Sequence, residues 1–312
     1  MRVETLRALM GAYLLSTPSI TAVAAPTFDA KKVQRGDLFF AFDEGSIDTA
    51  LQNGAYGIVV EKPTRVTDSE VAWLQVKDLH QSAKKLLRYQ LTQKNKTFYL
   101  IHPYQFDILK QCCTSKEVTF IQNSAAGIFS IFDENKQVFI ADDKGFLEEF
   151  TKDYSDLTQI DGLGYEILRN TLFESDIILD GLYHQNIPLP HFFIPQLAKA
   201  TAIAKEIELS YQLSKLGYCN FYYPCFFNAK LQPTEFGKGT KVLLFCPFDA
   251  VYKQLQPKLQ HLKSTCYDKS SVTQLHTLLS THDFIVVSCM DHSITQMPPF
   301  TTTQKRYSLL EF

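Results

Sequence analysis

Side chains that could bind a metal or transfer a proton are present but widely spaced. Of the eight histidines, His184 and His191 lie seven residues apart in a proline-rich stretch, and the others are scattered. None has the H-x-x-x-H spacing that places two metal ligands on one helix face, so we predict no metal site. Asp291 and His292 follow a strand-like apolar segment, a position where α/β proteins often place function. This pair is a candidate acid and base, or a solvated turn.

Two further segments contain possible catalytic residues but lack the surrounding pattern that catalysis needs. Ser288 and Cys289 lack the G-x-S-x-G context of a nucleophile elbow. Residues 237–241, with the sequence GKGTK, precede a predicted strand instead of following one and lack the upstream glycine of a phosphate loop. The seven cysteines are odd in number and include the adjacent Cys112 and Cys113, which favours reduced thiols and a cytoplasmic protein.

Composition narrows the class of protein. A chain of 312 residues with 45% hydrophobic and 21% charged residues is typical of a globular protein of two or three domains. A formal charge of −2 argues against non-specific nucleic-acid binding, which needs a basic face. The N-terminal residues have some features of a signal peptide, but Glu4 interrupts them, and we expect the segment to be retained. No later segment approaches the ~18 apolar residues of a membrane span.

The elements that could position a site are clearest in residues 28–62. A turn at Gly36 and Asp37 precedes an apolar run over residues 38–42. A helix follows, with Ile47 and Ala50 on one apolar face, and Gly54 fits its C-terminus. The next apolar run, residues 57–60, completes a strand–helix–strand order. This stretch predicts a βαβ unit.

The same stretch resembles the N-terminal, UDP-binding domain of the Mur ligases, the ATP-dependent ligases that build the peptidoglycan stem peptide. The family pattern D-S-R-x-V-x-x-G-D-L-F-V-A corresponds to DAKKVQRGDLFFA at residues 29–41, and G-A-x-x-(I/V)-V corresponds to GAYGIVV at residues 54–60. The chain departs from the pattern where Ala and Lys replace Ser-Arg, and its polar loop is shorter and has no histidine. The resemblance implies a nucleotide-sugar site near two loops, which contain Asp29, Lys31, Lys32, Gly45 and Ser46.

The phosphate loop of these ligases has no counterpart. A strand should run into G-x-x-G-K-(S/T), whose backbone N–H groups and lysine hold the ATP phosphates. Residues 97–106 read TFYLIHPYQF and contain none of these glycines, nor the lysine. We therefore expect neither ATP-dependent ligase activity nor a bound cofactor.

Beyond the first domain the pattern is coarser. We predict domains at residues 1–94, 95–181 and 182–312, the first being Mur-ligase-like and the others Rossmann-like α/β lobes. Further expectations are a helix at residues 3–15 and a strand at 20–23, a helix at 79–91 capped by Asp78, and three strand–helix pairs between 97 and 150. Residues 183–195 are expected to form a connection and 194–216 a helix. The aromatic segment 218–227 is expected to pack internally or to form a ligand or partner surface.

These observations support one leading hypothesis. The chain is an α/β protein that binds a UDP-MurNAc-type precursor or a Mur enzyme, as a non-catalytic scaffold or regulator in the cytoplasm. An ATP-independent enzyme that uses a crevice between lobes, and a protein-interaction module, are the alternatives.

Overall fold

The computed structural model describes residues 1–246, 263–267 and 272–287, together with Leu255 and Leu259. The chain divides into two compact units. The first consists of Met1–Phe106 and Thr114–Ile160, and the second of Asp107–Cys113 and the described residues from Asp161 onward. Both combine helices with β-sheets, so the predicted α/β class is confirmed. No helix in the described part of the chain is long and apolar enough to cross a membrane.

The first unit begins with a five-stranded sheet. Its strands are β1 (Tyr13–Leu14), β2 (Pro26–Thr27), β3 (Leu38–Phe40), β4 (Gly57–Val60) and β5 (Ala72–Gln75). Its helices are α1 (Val3–Met10), α2 (Ile47–Gln52) and α3 (Leu79–Leu91). The strand order is β1-β5-β4-β3-β2; β2 to β5 are parallel, and β1 is antiparallel to β5.

The predicted βαβ unit is confirmed in β3, α2 and β4. Leu38 of β3 lies opposite Gly57 of β4, and α2 buries Ile47 and Ala50. Gly54, just beyond α2, has a φ of 92°, a left-handed conformation that favours glycine. The carboxylate of the buried Asp37 accepts one hydrogen bond from an N–H in the turn before β3 and one from an N–H in the chain before β2. This carboxylate is therefore structural.

Two expectations for the N-terminal residues are wrong. The helix ends at Met10 instead of residue 15, because Gly11 adopts a left-handed φ of 65° and the chain turns into β1. Residues 20–23 form no strand; Ala22 makes only an isolated bridge with Arg2. The predicted α3 and its Asp78 cap are confirmed, since the carboxylate accepts the N–H of Gln81 at 2.8 Å.

A second, fully parallel sheet completes the first unit. It has the order β7-β8-β6-β9 and consists of β6 (Thr97–Leu100), β7 (Val118–Ile121), β8 (Val138–Ala141) and β9 (Ser155–Asp156). The helices after β6, β7 and β8 are α4 (Pro103–Cys112), α5 (Ala125–Ser130) and α6 (Lys144–Glu148). The three predicted strand–helix pairs are thus confirmed.

Both sheets of the first unit contribute to one hydrophobic core. Leu38, Phe40 and Leu86 belong to the same buried cluster as Phe98 and Phe139. The position between residues 94 and 95, where we predicted a domain boundary, lies within this unit. The division of the chain at residues 94 and 181 stays a prediction.

The second unit contains a three-stranded antiparallel sheet. Its strands, in the order β10-β11-β12, are β10 (Tyr165–Asn170), β11 (Ser175–Leu179) and β12 (Leu182–Ile187). The prediction that residues 183–195 are a connection is wrong, because β12 occupies much of this stretch. The helix after it, α7 (Ile194–Glu206), ends before residue 216; Glu208 has a left-handed φ of 53°.

A mixed sheet completes the described part of the second unit. Its strands are β13 (Tyr223–Phe227), β14 (Pro233–Thr234), β15 (Lys241–Phe245), β16 (Ser264–Tyr267) and β17 (Phe284–Val287), in the order β14-β13-β15-β17-β16. Helix α8 (Val272–Thr281) buries Leu275 and Leu279 against the sheet. The sequence pairs Ser288–Cys289 and Asp291–His292 lie outside the described residues.

Candidate functional site

The first predicted ligand-binding loop is a short 3-10 turn after β2. Asp29 precedes the turn Ala30–Lys32, and its carboxylate accepts the N–H of Lys31 at 3.1 Å. The ammonium of Lys32 lies 3.8 Å from the same carboxylate, and the Lys32 side chain is 81% exposed. Asn53 donates its side-chain amide to the Ala30 carbonyl at 2.8 Å, which ties the turn to the end of α2. The turn therefore presents two lysines on a fixed backbone, an arrangement suited to an anion.

The second predicted loop is a 3-10 turn after β3. Asp43 precedes the turn Glu44–Ser46 and accepts the N–H of Gly45 at 3.1 Å. Ser46 donates its hydroxyl to the Asp43 carbonyl at 2.5 Å. The donors of Gly45 and Ser46 are thus engaged within the turn, and a ligand would have to displace these bonds to use them. The assignment of all five residues to a ligand site stays a prediction.

The sheet brings the two loops to the same place. β2 and β3 are parallel neighbours, with Pro26 opposite Leu38, so both loops leave the carboxyl edge of the sheet. The rings of Phe28 and Phe42, one in each loop, have centroids 6.4 Å apart and meet edge to face. In parallel α/β sheets, this edge is where ligands usually bind.

An aromatic cluster lies between these loops, and sequence reasoning missed it. The Phe42 ring is 4.7 Å from the imidazole of His80, at the start of α3, and 6.2 Å from Phe129 of α5. Phe28 lies 5.3 Å from Phe129. Phe129 is buried, whereas Phe42 is 36% exposed, so the cluster has a buried base and an accessible ring. The available signal was that Phe28, Phe42 and His80 each follow the end of a strand in this sheet.

The connection between β6 and α4 lies in residues 97–106, where the sequence shows no phosphate-loop pattern. Only two residues separate Leu100 from Pro103, the first residue of α4. Pro103 has no N–H, the N–H of Tyr104 points to Nδ1 of His102 at 3.3 Å, and the N–H of Phe106 bonds to the His102 carbonyl at 3.0 Å. The connection therefore offers no glycine-rich nest for a triphosphate.

In the described residues, the other side chains that the sequence suggested for chemistry show no arrangement that indicates a catalytic or metal site. These residues contain no group of three His, Cys, Asp or Glu side chains that could hold a metal ion. Burial lowers the pKa of His184 below its ordinary value, which favours the neutral imidazole. In the segment 237–241, Lys238 pairs with Glu235 at 2.5 Å in the turn before β15, as expected for an ordinary turn. Burial raises the pKa of Cys112 to about 12, so this thiol is a poor nucleophile.

No family model matches the sequence, and no curated protein matches it. The structure is similar to the MurF ligase from Thermotoga maritima, solved in complex with ADP, at 12% identity and a TM-score of 0.44, over 85% of this chain and 84% of that chain. It is also similar to MurF from Acinetobacter baumannii, at 11% identity and a TM-score of 0.48, over 95% and 84% of the two chains. A UDP-N-acetylmuramoyl-L-alanyl-D-glutamate–2,6-diaminopimelate ligase matches at 10% identity and a TM-score of 0.37, over 92% and 82%. These are the ligases that residues 28–62 resemble in sequence; similarity at this level assigns no activity or ligand to this chain.

Proposed function

We propose that this protein binds a UDP-MurNAc-type precursor at the carboxyl edge of its first sheet and does not carry out ATP-dependent ligation. The observation that carries the proposal is the convergence of the two loops after β2 and β3 on one accessible aromatic cluster. The motif of residues 29–41 gives the class of ligand, since it resembles the UDP-binding domain of the Mur ligases. The role is that of a precursor-binding scaffold or regulator in peptidoglycan synthesis.

Each part of a nucleotide sugar has a candidate partner at this edge. The exposed ring of Phe42, beside His80, offers a face on which uracil can stack. The ammonium groups of Lys31 and Lys32, both exposed, can approach the diphosphate. Asp29 already lies near Lys32, so a bound diphosphate would compete with this carboxylate.

The connection from β6 to α4 supports the second half of the proposal. ATP-dependent ligation needs a cradle of backbone N–H groups and a lysine around the triphosphate. At the start of α4, Pro103 has no N–H, and the N–H groups of Tyr104 and Phe106 are directed to His102. The proposed compartment is the cytoplasm, and free thiols support it: Cys112, Cys113, Cys219, Cys225 and Cys246 form no disulfide.

Isothermal titration with UDP-MurNAc-tripeptide, and separately with Mg-ATP, tests the proposal. We expect binding of the first and no heat from the second. Base stacking contributes about 1–3 kcal/mol, so Phe42→Ala should weaken binding by about fivefold or more. Tyr13→Ala is the matched control, because Tyr13 is an aromatic residue, 69% exposed, in the β1 strand at the other edge of the sheet.

Each outcome of the titration separates the hypotheses. Binding of Mg-ATP would contradict the assignment of a non-ligating protein. No binding of either compound would reject the precursor site. Equal weakening by both substitutions would place the ligand away from the aromatic cluster.

A further inference from the structure

The second unit carries an open groove of about 480 Å³ in the aromatic segment noted in the sequence. β13, β14 and the residues next to them line it, with Tyr218, Phe226 and Phe236 among the walls. The ring centroids of Tyr218 and Phe226 are 6.1 Å apart, and those of Phe226 and Phe236 are 5.4 Å apart. Phe236 is 40% exposed, so part of its ring is accessible from the groove. The groove also has the volume of a typical ligand site.

The groove is held in shape by packing and by a tight turn. Phe173 supports it, with its ring centroid 5.0 Å from Phe226 and 5.6 Å from Phe236. The turn between β13 and β14 is closed by Asn228, whose side-chain oxygen accepts the N–H groups of Lys230 and Gln232 at 2.9 and 3.0 Å. An occupant would therefore meet walls that are already formed, which lowers the entropic cost of binding.

Two prolines argue against an added β-strand as the occupant. β13 pairs with β15 along its length, but with β14 only at Phe226 and Phe227. In a paired strand, the backbone nitrogen of a proline faces away from the neighbouring strand, because it has no N–H to donate. Pro224 therefore offers no donor on the open side of β13, and Pro233 likewise removes a donor from β14. A polyproline II segment needs no such donors, because its backbone is solvated and its prolines pack against aromatic rings.

The charge of the groove favours a basic occupant. Glu235 lines it, and its only partner in the described residues is Lys238, in an exposed pair with both side chains at least 70% accessible. Such a pair contributes little, so a basic group of a ligand can compete with Lys238.

We propose that this groove binds a proline-rich segment of a partner protein that carries an arginine next to its prolines. Aromatic walls, an edge poor in donors and the exposed carboxylate of Glu235 at the rim are the features that would recognise such a segment. This interaction does not depend on nucleotide-sugar binding in the first unit.

Fluorescence anisotropy with three labelled peptides tests the proposal on the full chain. The probes are a short oligoproline flanked by arginines, the same oligoproline flanked by serines, and a glycine–serine peptide flanked by arginines. We expect the first to bind most tightly, the second more weakly and the third not at all. Phe236→Ala should weaken the first by about tenfold or more, whereas Tyr183→Ala, the loss of another exposed aromatic ring in the same unit, should leave it unchanged.

A second variant keeps the test independent of folding. Phe236→Ala also removes a contact with Phe173, whereas Glu235→Gln changes only an exposed side chain. Glu235→Gln should weaken the arginine-flanked oligoproline and leave the serine-flanked one unchanged. No binding of the first probe, equal binding of the glycine–serine peptide, or insensitivity to both substitutions would overturn the proposal.

Discussion

The ion pair between Lys84 and Glu149 gives a sharp prediction of unequal effects. Lys84 lies on α3 with 6% of its side chain exposed, and its ammonium contacts the Glu149 carboxylate, whose side chain is 38% exposed. The ammonium also lies 5.6 Å from the centre of the Phe146 ring. Removing the carboxylate would leave a buried charge without its partner. Removing the lysine would leave only a carboxylate that water can already reach.

The magnitudes follow from this difference in exposure. Breaking a fully buried pair costs about 3–5 kcal/mol, and the partial exposure of Glu149 reduces this, so we expect about 2 kcal/mol for Glu149→Gln. Lys84→Met keeps the apolar stem and should cost about 1 kcal/mol, including the contact with Phe146. The pair Lys94–Glu134 is the control: because the Glu134 side chain is 80% exposed, Glu134→Gln should destabilise the fold least of the three.

Urea denaturation followed by circular dichroism measures the free energy of unfolding of each variant. The expected order of destabilisation is Glu149→Gln, then Lys84→Met, then Glu134→Gln. A larger effect for Lys84→Met than for Glu149→Gln would refute the reasoning, because the packing of the stem would then outweigh the buried charge.

Two further predictions concern a glycine and a carboxylate. Gly57→Ala should lower the free energy of unfolding, measured by urea denaturation, by about 1–3 kcal/mol, because the added Cβ would lie 2.6 Å from the buried Leu38 side chain. Gly164→Ala is the control and should change this free energy little, because the space around Gly164 is open. A hydrogen bond from Arg169 holds the pKa of Asp176 below its ordinary value, so its ionised form stabilises the fold above about pH 4 and this contribution is lost as the pH falls further. The difference in thermal midpoint between wild type and Asp176→Asn should therefore shrink on acidification, and a difference independent of pH would contradict this.

The sequence predicted best where one face of an element is buried. The βαβ unit and α3 show apolar residues at helical spacing or in short runs, and both were found near their predicted bounds. The strands β10 and β12 were not predicted, because nearly all of their residues are exposed and no alternation of apolar and polar residues marks them. The prolines after β12 then made the whole stretch look like a connection. The C-terminal end of α7 could not be predicted either, because apolar residues continue past its last turn.

The candidate site could be predicted only in part. The motif gave the two loops, since each follows an apolar strand within a short stretch of chain. The aromatic cluster could not be predicted, because Phe28, Phe42, His80 and Phe129 come from four separate elements and meet only through the strand order and the packing of α5. Likewise, the hydrogen bonds that engage Gly45 and Ser46 depend on the conformation of the turn at Asp43.

Hydrogen–deuterium exchange with and without UDP-MurNAc-tripeptide tests the central claim most directly. If the precursor binds at the carboxyl edge of the first sheet, amides in residues 28–32 and 42–47 should become protected, and Mg-ATP should protect none in residues 97–106. Protection confined to other parts of the chain, or protection of residues 97–106 by Mg-ATP, would contradict the account.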